Sequence, residues 1–362
     1  MNTDTPQRIV VKVGTNVLTR ADGLLDITAI SQLVDQLAII KQQGAQIILV
    51  SSGAVGAGKA VVQLKGRLHP VVNRQVYAAV GQIKLMNIYL DLFANYDLYC
   101  AQVLATKEDF RDRIHYLNMK ECFQALLRDQ IIPIVNENDV ISVSELMFTD
   151  NDELAGLIAS MINADSLIIL SNVDGIFDGH PDLPESRLIP FVQAGDKKHL
   201  AAIGPARSTF GRGGMQTKAR IAQKAASVGI TTYIANGKRP GILRNILKGE
   251  FRGTTFVAKE QISNVKKWIA YNELDKKGSV LINEGASRVL CDHQKISSLL
   301  PVGIVQVEGA FEKGDIIQIN CEQQGYIGMG IAQYSAQTAQ SYQGQKGKKA
   351  LVHYDYLYIE AN

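Results

Sequence analysis

Short apolar runs rich in valine and isoleucine recur through the first two-thirds of the chain, at 9–13, 46–50, 101–104, 131–135, 167–170 and 231–235. Runs that stay apolar at every position predict strands buried on both faces. Between them the apolar spacing becomes helical. Ile27, Ile30, Leu33, Val34, Leu37 and Ile40 share one face of a helix predicted over 27–43, with Asp26 suited to its N-cap and Gly44 to its end. A second predicted helix opens near Asp152 and carries Leu154, Leu157, Ile158 and Met161. A third opens near Met215 and runs through Ala219, Ile221 and Ala225 to Gly229. Strands and helices alternating through short glycine-containing connections predict an α/β fold, a doubly wound, mainly parallel open sheet.

The pattern changes after Phe256. Residues 258–277 carry Lys, Glu, Asn and Gln and read as a connector with some helix. Beyond Gly278 come short strand-like pieces at 279–282, 304–307, 316–319, 325–330 and 351–354, separated by Gly, Asn and Asp. The expected organisation is a catalytic α/β domain over 1–257, the connector, and a small β-rich domain over 278–362.

Charge and cysteine content narrow the function. The 362 residues carry a formal net charge of +3. From Gly278 onward six basic residues face eight acidic ones, a formal charge of −2 that makes RNA an unlikely partner for the tail. Cys100, Cys122, Cys291 and Cys321 are widely separated and form no CxxC pair, which predicts reduced thiols and no transition-metal site. No basic segment followed by a long apolar run precedes Ile9, and no run reaches membrane-spanning length. A soluble, cytoplasmic protein with no membrane contact is expected.

The candidate chemistry lies just beyond predicted strands, where open α/β sheets gather ligands. Lys12-Val13-Gly14-Thr15-Asn16 sets a cation beside a glycine that frees backbone N–H groups for phosphate oxygens, and also suits a lysine reaching out from a strand end. Ser51-Ser52-Gly53-Ala54-Val55-Gly56-Ala57-Gly58 has the hydroxyls and glycines of an anion cradle at a helix start. It matches neither GxGxxG nor the Walker spacing, and close packing against small residues accounts for it equally well. Asn136-Glu137-Asn138-Asp139 suits a small zwitterion, with a carboxylate for its ammonium and amides for its carboxylate, and also suits a plain polar turn. Asp150-Asn151-Asp152-Glu153 suits helix capping, and also a lysine cluster or a hydrated Mg²⁺. Gly211-Arg212-Gly213-Gly214-Met215-Gln216-Thr217-Lys218 is the strongest local phosphate signal. Ser171-Asn172-Val173-Asp174-Gly175 is a turn able to lie over a nucleotide. Together these loops supply two lysines, acidic groups, glycines and hydroxyls. That is what phosphoryl transfer needs: an aligned donor and acceptor, and positive charge where negative charge spreads.

Lys12-Val13-Gly14-Thr15, Ser52-Gly53-Ala54, Asn136-Glu137-Asn138-Asp139, Asp150-Asn151-Asp152 and Gly213-Gly214-Met215-x-Thr217-Lys218 resemble the amino acid kinase superfamily. Within it they resemble the branch that phosphorylates the γ-carboxylate of glutamate. Gly285-Ala286, Ser298-Leu299-Leu300-Pro301-x-Gly303-Ile304 and Gly309-x-Phe311-x-x-Gly314-Asp315 make the tail similar to a PUA domain. The resemblance implies ATP and Mg²⁺, with the ion carried largely by the nucleotide phosphates and no dedicated protein ligand. It implies that Lys12 and Lys218 stabilise the transferring phosphoryl group and that Asp152 positions them. Ser52, Asp139 and Asn151 would bind glutamate. Lys12, Ser171, Asn172 and Arg212, Gly213, Gly214, Met215, Gln216, Thr217 and Lys218 would contact ATP. Proline as a feedback inhibitor and a homo-oligomeric state are expected from it too. The chain departs from the pattern in three places: Ser171-Asn172 stands where Thr-Asp is usual, Arg212 where Thr is frequent, and Thr149 where Gly commonly precedes Asp-Asn-Asp.

Overall fold

The computed structural model describes residues 7–64, 69–141, 148, 150–181, 183, 185–194, 214–259, 263–271, 276–292 and 297–360. The chain divides into two compact units, Met1–Gln261 and Ile262–Asn362.

In the first unit the described elements run β1 (Arg8–Val13), α1 (Thr15–Leu18), α2 (Ile27–Gln42), β2 (Gln46–Ser51), α3 (Ala54–Val61), α4 (Pro70–Ala94), β3 (Cys100–Ala105), α5 (Lys107–Arg111), α6 (Arg113–Arg128), β4 (Ile132–Glu137), α7 (Asn151–Met161), β5 (Ser166–Ser171), β6 (Phe191–Gln193), α8 (Met215–Ser227), β7 (Thr231–Asn236), α9 (Ile242–Lys248) and β8 (Gly253–Val257). The strands form one sheet in the order β3-β4-β2-β1-β5-β7-β8-β6. Every pairing is parallel except β7 with β8. The doubly wound, mainly parallel sheet expected from the apolar runs is therefore present.

Strand alternation decides which side chains meet. Ile9, Val11 and Val13 of β1 join Ile47 and Leu49 of β2 in a buried core with residues of α2, α4 and α9. Val10 and Lys12 consequently face the other side. There α7 packs on β1, β2, β4 and β5, and α8 packs on α7, β5, β7 and β8. The chain passes from β4 on one flank of β1 to β5 on the other, so α7 spans the switch in winding direction. The carboxyl ends of β1, β2, β4 and β5 converge beneath its N-terminus, the crevice in which such sheets take ligands.

Two strands lie where the apolar pattern predicted none. β6 is three residues long, and β8 falls where the sequence changes texture; Thr254 of β8 is fully buried. Among the described residues no helix is long and apolar enough to cross a membrane.

The second unit contains α10 (Asn264–Tyr271), β9 (Gly278–Ile282), α11 (Glu284–Leu290), β10 (Ile304–Gly309), β11 (Ile316–Cys321), β12 (Gly325–Ala332), α12 (Ala336–Tyr342) and β13 (Val352–Ile359). Its five strands are ordered β10-β9-β11-β12-β13, antiparallel except for β9 with β11. Val280, Ile282, Phe311, Ile317 and Ile319 are among the residues of its own core. α10, within the stretch that reads as a connector, packs against β12 and β13.

Candidate active site

At the centre of the crevice stands Asp152, fully buried in the first turn of α7. Its Oδ1 lies 2.7 Å from Lys12 Nζ and its Oδ2 lies 2.8 Å from Lys218 Nζ. Lys12 ends the inward alternation of β1, and Lys218 closes the first turn of α8. Two cations from distant elements thus share one carboxylate. Burial opposes ionisation of Asp152, but the two ammonium groups outweigh it and hold the carboxyl below the ordinary carboxylate range. Burial likewise works against the charge on Lys218, and Asp152 with Asp150 more than offsets it, raising that pKa.

The helix that carries Asp152 is started by Asp150. Its Oδ1 accepts the backbone N–H groups of Asp152 at 2.9 Å and of Glu153 at 3.2 Å, an N-cap that satisfies two otherwise orphaned donors. Asp150 Oδ2 is buried without a partner. Burial, reinforced by the Asp152 charge and opposed by the two lysines, pushes the Asp150 carboxyl up to about 7.

Beside this centre Asn151 turns its amide nitrogen toward Ser52 Oγ at 3.0 Å, Asn136 Oδ1 at 2.9 Å and the Ser51 carbonyl at 3.2 Å. Ser52 and Asn151 are therefore together. Asp139 lies further along the β4 loop, 2.6 Å from a guanidinium nitrogen of Arg74. The same nitrogen is 3.7 Å from Glu137 Oε2. Burial raises the Asp139 pKa, and Arg74 opposes that shift. Of the four polar residues that end β4, Asn136 and Glu137 are buried and serve internal bonds. Asn138 and Asp139 are half-buried.

On the other flank Ser171 ends β5, and its hydroxyl lies 3.4 Å from Asn172 Oδ1. Neither residue bonds to the lysine pair. Gly214 caps α8 without a side-chain hydrogen bond, and the helix starts next to the lysine pair. A helix N-terminus beside an ammonium suits an anion. Arg212, Gly213 and Thr149 lie outside the described residues.

The glycines after β2 divide in role. Gly53 has φ +108°, a left-handed turn that an L side chain resists, and it swings the chain from β2 into α3. Gly58 serves packing: a Cβ there would meet the Tyr77 carbonyl of α4 at 1.9 Å. The motif reading missed Arg74, Gln82 and Tyr89, all on α4. The helix itself was not among those the apolar spacing predicted, and nothing local marks those three.

The profile of the amino acid kinase family matches residues 7–236, and that of the PUA domain matches residues 278–354. The chain belongs to the amino acid kinase family. Its curated relatives are glutamate 5-kinases. The one from Chlorobaculum tepidum is 52% identical over 98% of this chain and 97% of its own length. The one from Bacteroides thetaiotaomicron is 51% identical over 98% of each. Among solved structures, carbamate kinase from Giardia lamblia bound to AMP-PNP is similar in fold, with a TM-score of 0.52 at 18% identity over 70% of this chain and 99% of that one.

Proposed function

We propose that the chain transfers the γ-phosphoryl group of ATP to the γ-carboxylate of L-glutamate, giving γ-glutamyl phosphate and ADP, the first step of proline biosynthesis. One observation carries the reading: ammonium groups from β1 and α8 meet on a single buried carboxylate at the carboxyl end of the sheet. The half-identical relatives named glutamate 5-kinase support the choice of acceptor.

A glutamate carboxylate oxygen forms a bond to the γ-phosphorus as the bond from that phosphorus to the β,γ-bridging oxygen breaks, and the electron pair leaves with ADP. The attacking carboxylate carries no proton at neutral pH, so no general base is needed. Asp152 suits that scheme: it is ionised and engaged, and it positions Lys12 and Lys218 where charge spreads over the transferring group. Ser52, Asn151 and Asp139 take the amino acid. Ser171, Asn172, Arg212, Gly213 and the start of α8 take the nucleotide. Both Asp152 oxygens face ammonium groups. A carboxylate so engaged suits Mg²⁺ that arrives on the ATP phosphates as part of the substrate. A cytoplasmic homo-oligomer inhibited by proline completes the reading, and proline should slow turnover at limiting glutamate.

The test is ADP release with ATP, Mg²⁺ and, in parallel, glutamate, aspartate or N-acetylglutamate. Release should depend on glutamate. A rate equal to the acceptor-free control ends the reading, and a preference for either other acid moves the acceptor.

A further inference from the structure

α4 lies outside every motif of the acceptor site, yet it reaches that site at three points. Arg74 contacts Asp139, Gln82 contacts Asn136, and the Tyr89 hydroxyl lies 2.8 Å from Ser51 Oγ. Gln82 bears on chemistry because its Oε1 holds the far end of a chain of amide bonds that runs through Asn136 to Asn151. The Glu137 backbone N–H donates to Asn136 Oδ1 at 2.9 Å. A backbone N–H cannot accept, so the Asn136 amide is fixed with its oxygen toward Glu137 and its nitrogen toward Gln82, whose Oε1 accepts it at 2.9 Å. Asn136 Oδ1 then also accepts from Asn151 Nδ2. With its nitrogen committed inward, Asn151 presents Oδ1 as its acceptor, and among the described residues no donor takes it up. Ser52 Oγ, which accepts from Asn151, keeps its own O–H to donate. An acceptor beside a donor suits the ammonium and carboxylate of an amino acid.

Gln82 is a poor choice for stability alone. It is only 8% exposed, and its Nε2 is buried with no partner. Leaving a buried donor unpaired is costly, and an apolar side chain of similar volume avoids that cost. The Oε1 bond to Asn136 is what an apolar residue would lose.

We propose that Gln82 is a positioning residue: by accepting the Asn136 amide nitrogen it anchors that amide, and through it holds the Asn151 amide and the Ser52 hydroxyl where they meet the amino-acid acceptor. The inference rests on the reading above that Ser52 and Asn151 contact that acceptor.

The test compares kcat, both KM values and Tm of the full chain with those of Gln82→Met and Gln82→Glu. Methionine removes the accepting oxygen and frees the Asn136 nitrogen, so KM for glutamate should rise roughly tenfold while KM for ATP stays within about twofold. Gln82→Glu keeps an oxygen toward Asn136 and should bring KM for glutamate back to within about threefold of the wild type. Gln82→Asn keeps a polar amide but withdraws it by one methylene; it serves if Gln82→Met does not fold, and should raise the same KM. An unchanged KM for glutamate, a joint rise of both KM values, or no recovery in Gln82→Glu overturns the proposal. A wild-type chain that turns over glutamate while these variants match it overturns this inference alone. A wild-type chain inert toward glutamate overturns the reading beneath it as well.

Discussion

Among the described residues Lys218 pairs with the buried Asp152, and it lies in the first turn of α8, the proposed phosphate site. Removing it takes away one of two positive charges from the transferring group and leaves Asp152 paired with Lys12 alone. Lys218→Ala should lower kcat by about a hundredfold or more, the scale of losing one fixed electrostatic stabiliser. A near-normal kcat in the coupled ADP assay would remove Lys218 from the role. Asp150 predicts a pH effect. Its folded pKa, about 7, lies above its ordinary 3.8, so the folded state holds that proton more tightly. The resulting stability is fully present below 3.8 and is lost as pH rises toward 7. Asp152 acts in the opposite sense: its depressed pKa contributes stability at neutral pH that is lost only in acid. Asn can cap α7 as Asp does. The Tm of the wild type should therefore fall relative to Asp150→Asn between about pH 4 and pH 7 and then level off. A constant difference across that range would remove the assigned cause. The sequence marks Asp150 as a cap, but its burial beside a second carboxylate follows from how α7 lies on the sheet.

At the scale of elements, α3 and α4 cross so closely that their backbones touch. A Cβ on Gly81 would lie 1.7 Å from the Ala54 carbonyl, and one on Gly58 would lie 1.9 Å from that of Tyr77. Gly81→Ala must push the helices apart, at a cost of roughly 1–3 kcal/mol. Urea unfolding should show the lower midpoint. The strain falls on Ala54, two residues from Ser52, so KM for glutamate should rise with it. An unchanged midpoint would mean the crossing relaxes freely. The elements themselves were unevenly legible. Six apolar runs became β1, β2, β3, β4, β5 and β7; β1, β2, β4 and β5 are buried on both faces as expected, whereas β3, at the sheet edge, is mostly half-buried or exposed. β6 was not legible: it has three residues, and only Val192 among them is buried. β8 was not either, since its Gly-Thr-Thr start lacks the apolar run and its burial comes from antiparallel pairing with β7. The glycine-rich turn after β2 offered both an anion cradle and close packing. The structure gives Gly58 to packing and Gly53 to the turn, because α4 arrives from outside the motif.

The whole molecule consists of two units with separate cores, and every described residue of the lysine pair and acceptor network belongs to the first. A chain ending at residue 261 should keep glutamate-dependent ADP release, with kcat within about tenfold of the full chain if no catalytic group is lost. Complete loss of activity in a truncated chain that still unfolds cooperatively would assign the second unit a part in catalysis. By itself the sequence determined the alternating elements, the parallel sheet, the β-rich second unit and the loops proposed to carry the chemistry, because each is written in periodicity and turn chemistry a few residues long. Only the tertiary structure decided that Lys12 and Lys218 share Asp152, that Arg74 faces Asp139, and that Gln82 meets Asn136. Those pairs lie tens of residues or more apart in the chain, and nothing local encodes a contact made by a helix crossing a sheet.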